Sequence, residues 1–254
     1  MTGALTIVGL GPGDPRYLTP AASAVLASAT DIVGYGPYVD RVPERPGVRR
    51  HASDNRVELD RARFALELAA KGARVAVVSG GDPGVFAMAA AVFEAVENGD
   101  PSWRGLDIRV EPGITAMLAA AARVGAPLGG DFCALSLSDN LKPWDVVASR
   151  LRAAVAADFV VALYNPISSA RPWQLGAAFE IVAETRAPDT PIILARAVGR
   201  PDERIRIVPL AEVEAAMADM STIVIIGASN TRLIERPEEG APYVYTPRFY
   251  GARP

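Results

Sequence analysis

The sequence predicts an α/β protein of two domains, the first with a largely parallel sheet and the second with a mixed sheet. In the first half of the chain, short apolar runs alternate with alanine-rich stretches of helical period, a pattern typical of parallel sheets. This periodicity breaks at residues 125–130, GAPLGG, where glycine and proline favour a loop. Beyond the break the apolar runs follow one another more closely, which favours a mixed sheet.

The predicted elements of the first half form three strand–helix pairs. In chain order they are residues 5–8 with 21–29, 75–78 with 86–96, and 108–110 with 115–124. Thr19 before Pro20 is typical of an N-cap followed by a first-turn proline, and Gly99 and Gly125 are typical of helix ends. These signals agree with the periodicity.

Five further strands are predicted after the break. They cover residues 132–137, 159–163, 192–195, 205–208 and 222–226. We therefore predict domains at residues 1–128 and 129–254. The tail from Arg236 is rich in proline and tyrosine, and we expect it to run over the surface.

Composition excludes several classes of function. Half of the 254 residues are hydrophobic, and the net charge of -3 comes from interspersed charges, so we expect no nucleic-acid partner. The chain shows no export signal and no apolar run long enough to cross a membrane, and its one cysteine, Cys133, cannot form an internal disulfide. We expect a cytoplasmic protein without a metal site, and we expect its one histidine, His51, to be exposed in a charged stretch.

The first glycine loop follows the first strand and covers residues 9–14, GLGPGD. It resembles the dinucleotide fingerprint, but Asp14 replaces the last glycine and would repel a pyrophosphate, and Pro12 has no N–H to donate. The acidic residue at the expected spacing, Asp31, precedes the next strand instead of ending it. A nicotinamide-dependent oxidoreductase is therefore disfavoured, and the loop fits a ligand without phosphates or a plain turn.

Two more glycine loops follow strands. Residues 79–86, SGGDPGVF, lack the lysine of a nucleotide P-loop, and Asp82 either accepts hydrogen bonds from a ligand or caps the next helix. Residues 111–116, EPGITA, place Thr115 either as a helix cap or facing a ligand. Loops at the carboxyl ends of strands are where open α/β sheets bind ligands.

Taken in order, residues 9–14, 80–83 and 112–116 resemble the successive motifs of the tetrapyrrole methylase family, and the resemblance covers nearly the whole chain. It implies two α/β domains that hold S-adenosylmethionine in the cleft between them, and a homodimer. It also implies a set of residues that contact S-adenosylmethionine: Pro12, Gly80, Gly81, Asp82, Val85, Thr115, Ala116, Asn165, Gly199 and Thr222.

Residues 136–144, SLSDNLKPW, and 163–171, LYNPISSAR, resemble most closely the branch of the family that methylates C17 of precorrin-3B in cobalamin biosynthesis. Its substrate carries many carboxylates, which a guanidinium pairs bidentately, so Arg171 is the first candidate for a substrate contact. The alternative for Arg171 is a solubilising surface residue. The resemblance extends the substrate contacts to Ser138, Asp139 and Lys142.

Methyl transfer from a sulfonium is a direct displacement, so it needs alignment of the reactants and no nucleophilic side chain. The resemblance also implies contraction of the macrocycle to give precorrin-4, a step helped by removal of a hydroxyl proton. Asp14 is our candidate base, with a turn cap as its alternative. Other functions stay open: a cobalt-bearing substrate, methylation at C11 or C20, or a carrier that binds a tetrapyrrole without catalysis.

Overall fold

The computed structural model describes residues 3–54, 57–237 and 240–249, and its contacts divide the chain into two units. The first unit ends at Thr115 and the second begins at Ala116. The boundary predicted from the sequence follows residue 128, and it stays a prediction.

The first unit is built around five parallel strands in the order β3-β2-β4-β1-β5. The strands are β1 (Ala4–Gly9), β2 (Asp31–Tyr35), β3 (Arg49–Ser53), β4 (Arg74–Ser79) and β5 (Asp107–Glu111). The helices are α1 (Pro20–Ser28), α2 (Gly36–Val39), α3 (Glu58–Ala70) and α4 (Met88–Asn98). The predicted parallel sheet is confirmed.

Helices cover both faces of this sheet. On one face α3 and α4 pack against residues such as Leu5 and Val77, and on the other α1 and α2 pack against residues such as Val8 and Val78. Because both faces are buried, the central strands read as continuous apolar runs instead of alternating ones.

Local signals mark two helix ends in this unit. Thr19 caps α1, since its Oγ1 accepts a hydrogen bond from the Ala22 N–H at 3.1 Å, and Gly99 ends α4. The start of α4 differs from the prediction, which placed it at Phe86. Phe86 has a φ of +51°, which lies outside the right-handed helical region, so α4 begins only at Met88.

The second unit has a mixed sheet in the order β10-β9-β11-β8-β7, in which only β7 and β8 are parallel. Its strands are β7 (Phe132–Ser136), β8 (Val160–Tyr164), β9 (Pro191–Arg196), β10 (Arg204–Pro209) and β11 (Thr222–Ile226). Its helices are α5 (Ala116–Val124), α6 (Trp144–Ala156) and α7 (Gln174–Ala183). The α6 and α7 helices pack against the sheet around residues such as Leu163 and Val224, and the predicted mixed sheet is confirmed.

A small third sheet overturns the expectation that the tail runs over the surface. It joins β6 (Gly125–Ala126), β12 (Arg232–Ile234) and β13 (Tyr243–Tyr245), with β13 in the middle. Val244 is fully buried, and the Thr246 hydroxyl donates to the Pro127 carbonyl at 2.6 Å. Three residues of alternation are too few to indicate a strand in a sequence.

A buried ion pair anchors the start of β2. Asp31 has no exposed side-chain area and accepts two hydrogen bonds of 2.8 Å from Arg49, and His51 Nε2 lies 2.8 Å from its Oδ1. The expectation that His51 is exposed is wrong, because this contact leaves only 26% of its side chain accessible. Burial alone would raise the pKa of Asp31, but its hydrogen bonds with Arg49, His51 and Thr30 outweigh burial and lower the pKa to about 2.

We expect Asp31→Asn to lower the free energy of unfolding at neutral pH by about 2 kcal/mol, because the lowered pKa stabilises the folded state. In the native protein this stabilisation is complete above the ordinary pKa of 3.8 and is lost as the pH falls through about 2. Urea unfolding across this range measures it. The variant should lose less stability than the native chain on acidification, and equal losses in both would contradict the assignment.

Among the described residues, none of the helices combines the length and the apolar composition that crossing a membrane requires.

Candidate functional site

In the first unit, the three glycine loops lie side by side. They follow β4, β1 and β5, which are neighbours in the sheet and run parallel, so all three loops lie at the carboxyl edge. This edge is where ligands bind in sheets of this kind. The predicted residues Pro12, Gly80, Gly81, Asp82, Val85 and Thr115 all belong to these loops.

The loops touch through their backbones. Gly11 and Gly81 exchange hydrogen bonds of 3.1 and 2.9 Å, and Gly81 holds a φ of +65°. A Cβ on Gly113 would lie 2.2 Å from the Gly81 carbonyl oxygen. The contact between loops therefore requires glycine at these positions, which explains why each strand end carries glycines.

Asp82 ties the second loop to the third. Its Oδ1 accepts a hydrogen bond of 2.8 Å from the Gly84 N–H, and its Oδ2 accepts one of 3.0 Å from the Gly113 N–H. Asp82 does not cap α4, whose N-cap is Ala87, so that alternative is wrong. A carboxylate has about four acceptor sites, so these two bonds leave room for a ligand donor.

Asp14 occupies the end of the first loop. Its carboxylate accepts a hydrogen bond of 2.9 Å from the Arg16 N–H and pairs with the Arg16 guanidinium at 2.8 Å. Asp14 therefore caps the short turn Pro15–Tyr17, which is the second of the two roles predicted for it. The carboxylate is thus ion-paired, with 25% of its side chain exposed.

Two residues that the motifs did not indicate support the loops. The Arg41 guanidinium donates to the carbonyls of Leu10 and Gly11 at 2.7 and 3.0 Å. The Tyr38 ring lies so close to Gly80 that a Cβ there would approach it to 2.7 Å. Both residues come from the segment around α2, which carries no glycine motif, so no signal in the sequence points to them.

In the second unit, the predicted residues gather at one edge of the mixed sheet. This edge holds the carboxyl ends of β7, β8 and β9 and the start of the antiparallel β11. The predicted residues there are Ser138, Asp139, Lys142, Asn165, Arg171, Gly199 and Thr222. Ala116 begins α5, and the next residue, Met117, donates its N–H to the hydroxyl of Tyr164 at the end of β8.

Asn165 is fixed in a left-handed conformation directly after β8, with a φ of +51°. Asparagine tolerates this region better than most residues. Its Nδ2 donates to the Ser136 Oγ at 2.9 Å, and the same oxygen accepts the Ser138 N–H at 3.3 Å. Ser136, which the prediction did not single out, thus joins the loops after β7 and β8.

Arg171 is buried, with 6% of its area exposed, so the solubilising alternative is wrong. Its Nη1 donates to the Asn165 carbonyl at 2.8 Å, and its Nη2 lies 3.8 Å from the Met220 sulfur. Within the described part of the chain, no carboxylate lies within 4.0 Å of this guanidinium. A buried cation without a counter-ion is costly and favours an anionic ligand.

Asp139 and Lys142 lie in the loop after β7. The carboxylate of Asp139 accepts a hydrogen bond of 2.9 Å from Nε2 of Gln174, a residue that the motifs did not indicate. Partial burial, and secondarily the nearby charge of Arg150, lower the pKa of the Lys142 ammonium. Asp139 is thus engaged, whereas Lys142 forms no ion pair with any residue in the described ranges.

Gly199 and Thr222 are held by their neighbours. The Gly199 N–H donates to Glu203 Oε2 at 2.6 Å, and the Thr222 hydroxyl donates to Asp219 Oδ1 at 2.9 Å. These hydrogen bonds hold Gly199 and Thr222 in place at this edge of the mixed sheet.

No group of three or more histidine, cysteine, aspartate or glutamate residues within residues 3–54, 57–237 and 240–249 is placed to hold a metal ion.

Comparison with known proteins gives consistent results. Residues 4–214 match the family described as tetrapyrrole (corrin/porphyrin) methylases. The chain is 58% identical to a precorrin-3B C(17)-methyltransferase of Sinorhizobium sp over 251 residues, which are 98% of each protein. It is 36% identical to a probable cobalt-factor III C(17)-methyltransferase of Salmonella typhimurium, covering 97% of this chain and 99% of the relative.

A solved structure also matches. The crystal structure of the methyltransferase CobJ superposes with a TM-score of 0.91 at 54% identity, covering 96% of this chain and all of that one.

Proposed function

Because the chain belongs to the family of tetrapyrrole (corrin/porphyrin) methylases, we propose that it transfers a methyl group from S-adenosylmethionine to C17 of precorrin-3B. The observation that carries this proposal is the 58% identity to a precorrin-3B C(17)-methyltransferase across 98% of both chains. In this function the product is precorrin-4, formed with contraction of the macrocycle.

The metal-free substrate is favoured over its cobalt-bearing counterpart. The relative that acts on cobalt-factor III is 36% identical, whereas the one that acts on precorrin-3B is 58% identical. Any cobalt would belong to the substrate, because no metal-binding cluster occurs among the residues that the structure describes.

The first unit fits S-adenosylmethionine as its methyl donor. Three glycine loops meet at Gly9, Gly81 and Gly113, and a Cβ on either Gly9 or Gly113 would clash with the backbone of a neighbouring loop. Such a surface admits close approach of a ligand, and the acidic residues Asp14 and Asp82 suit a cationic ligand better than a phosphate. The residues proposed to hold it in this unit are Pro12, Gly80, Gly81, Asp82, Val85 and Thr115.

In the second unit, the residues proposed to contact S-adenosylmethionine are Ala116, Asn165, Gly199 and Thr222. Ala116 begins α5, and the other three lie at the edge that holds the carboxyl ends of β8 and β9. Bound S-adenosylmethionine supplies an electrophilic methyl group on its sulfonium. The task of the protein residues is then to fix the ring carbon in line with this methyl group and to exclude water.

Arg171 is proposed to pair with a substrate carboxylate, supported by its burial without a counter-ion among the residues that the structure covers. Ser138, Asp139 and Lys142 lie in the neighbouring loop and are proposed as further substrate contacts. Of these, Lys142 offers a second cation for the carboxylates of the substrate.

Asp14 is proposed to accept the hydroxyl proton during ring contraction. We expect Asp14→Asn to reduce kcat by at least about a hundredfold, the usual contribution of a general base, while KM changes little. Asparagine caps turns as well as aspartate does, so the local fold should survive. Steady-state kinetics with precorrin-3B measure both constants.

Asp107→Asn is the matched control, because Asp107 forms the same kind of ion pair with the arginine two residues later, Arg109, at 2.8 Å. Its turnover should equal that of the native chain. Native turnover in the Asp14 variant would remove Asp14 from the mechanism and leave it as a turn cap.

Release of S-adenosylhomocysteine with different acceptors tests the proposed function. Precorrin-3B should give the highest kcat/KM among precorrin-3B, its cobalt counterpart and precorrin-4. Absence of release with every acceptor would overturn the proposal in favour of a tetrapyrrole carrier. From the family resemblance we also propose that the protein is a cytoplasmic homodimer. Light scattering on the purified protein tests the dimer.

A further inference from the structure

Two tryptophans meet at the starts of neighbouring helices in the second unit. Trp144 is the first residue of α6, Trp173 directly precedes α7, and their rings form an edge-to-face contact with centroids 4.9 Å apart. Trp144 packs against the core, whereas Trp173 keeps 50% of its area exposed. This tryptophan pair therefore presents a fixed aromatic surface to its surroundings.

Two cations lie close in sequence to the tryptophan pair, together with two acids. Arg171 precedes Trp173 by two residues, Lys142 precedes Trp144 by two, and neither cation forms an ion pair with a described residue. Of the nearby acids, Asp139 is engaged by Gln174, and Asp145 is exposed on the first turn of α6. Neither helix start has a side-chain cap, and α7 has no acidic residue in its first turn to offset the positive end of its helix dipole.

Gln174, the first residue of α7, adds an independent sign of a binding site. It is 2% exposed, and its Oε1 has no hydrogen-bond donor in the described part of the chain. A buried acceptor without a donor costs free energy unless a bound molecule supplies one.

We propose that Trp173, backed by Trp144, is the surface on which the conjugated face of the tetrapyrrole stacks, with carboxylates of its rim meeting Arg171 and Lys142. This inference rests on the proposed function and names the part of the substrate that each group meets. An exposed aromatic ring next to unpaired cations complements a flat, conjugated ring system with an anionic rim. Ring stacking also orients the macrocycle, which a methyl transfer to a single carbon requires.

Titration with a porphyrin octacarboxylate as the probe, followed by its absorbance, tests the stacking without relying on catalysis. Trp173→Ala should raise the Kd by at least about tenfold, because it removes most of the stacking area. Trp173→Phe keeps an aromatic face and should stay within about threefold of the native Kd. Affinity for S-adenosylmethionine, measured by calorimetry, should be native in both variants.

The matched control is Phe93→Ala, which removes an aromatic side chain on α4 with the same 50% exposure. It should bind the porphyrin with native affinity. Native binding by Trp173→Ala, or equal losses for porphyrin and S-adenosylmethionine, would overturn the inference. If the native chain binds porphyrin but methylates no tetrapyrrole, the proposed function fails while the variants still decide the stacking. If the native chain binds no porphyrin, the inference is overturned.

Discussion

Replacing Gly113 with alanine is expected to disrupt the three-loop site more than any other single methyl group added there. The new Cβ would lie 2.2 Å from the Gly81 carbonyl oxygen and 2.9 Å from the Gly9 Cα, and backbone atoms cannot move aside as a flexible side chain can. Overpacking of this kind costs about 1–3 kcal/mol. We expect a fall of this size in the free energy of unfolding and a loss of at least about tenfold in affinity for S-adenosylmethionine, since about 1.4 kcal/mol corresponds to a factor of ten.

Gly105→Ala provides the control for this prediction, because a Cβ at Gly105 would meet no heavy atom within 4 Å. Its stability and its affinity for S-adenosylmethionine should equal those of the native chain. Calorimetric titration and urea unfolding of both variants check the prediction. Native affinity in Gly113→Ala would show that the contact between the loops does not shape the cofactor site.

Replacing Arg171 with alanine is expected to raise KM for the tetrapyrrole by about a hundredfold. Truncating one partner of a buried charge pair costs about 2–5 kcal/mol, and a hundredfold change corresponds to about 2.7 kcal/mol. Arg171→Lys should recover only part of the affinity, because an ammonium cannot form the planar, bidentate contact of a guanidinium. Steady-state kinetics at saturating S-adenosylmethionine measure the effect.

Arg152→Ala is the control for loss of a positive charge alone. Arg152 is exposed and pairs with Glu184 at 3.0 Å, so its removal should leave KM unchanged. An unaltered KM in Arg171→Ala would exclude the substrate contact. The guanidinium would then serve only to hold the Asn165 carbonyl.

The sheets were predictable because burial on both faces produces apolar runs that a sequence displays directly. The strand predicted at residues 222–226 has the bounds of β11, and the other predicted strands agree with the structure to within one or two residues at each end. The prediction missed whole elements, namely β2, β3 and the helices α2, α3, α6 and α7, and it misplaced one helix start. The predicted helix began at Phe86 because an alanine-rich stretch of helical period starts there. No sequence pattern indicates a left-handed φ at an aromatic residue.

Contacts between residues that lie far apart in the chain could not be predicted from the sequence. His51 lies in a charged stretch, yet it is partly covered because its Nε2 lies 2.8 Å from Oδ1 of Asp31 on the neighbouring strand. The burial of Val244 depends on pairing with β6, more than a hundred residues earlier in the chain. Register between distant segments is not encoded in local periodicity.

The candidate site was predictable as a set of motifs but not as a network. The glycine pattern indicated the three loops of the first unit, and the structure adds the reason, which is the backbone contact between Gly11 and Gly81. The roles of Arg41, Ser136 and Gln174 depend on hydrogen bonds between segments separated in sequence. Sequence motifs indicate the residues that contact a ligand. They do not indicate the residues that hold those residues in place.

The most direct test of the proposed function locates the transferred methyl group. The purified chain would be incubated with precorrin-3B and S-adenosylmethionine carrying a ¹³C-labelled methyl group, and the product would be examined by NMR spectroscopy. We predict a single labelled methyl group on C17 of a contracted macrocycle. Label on C11 or C20, or on no ring carbon, would contradict the account.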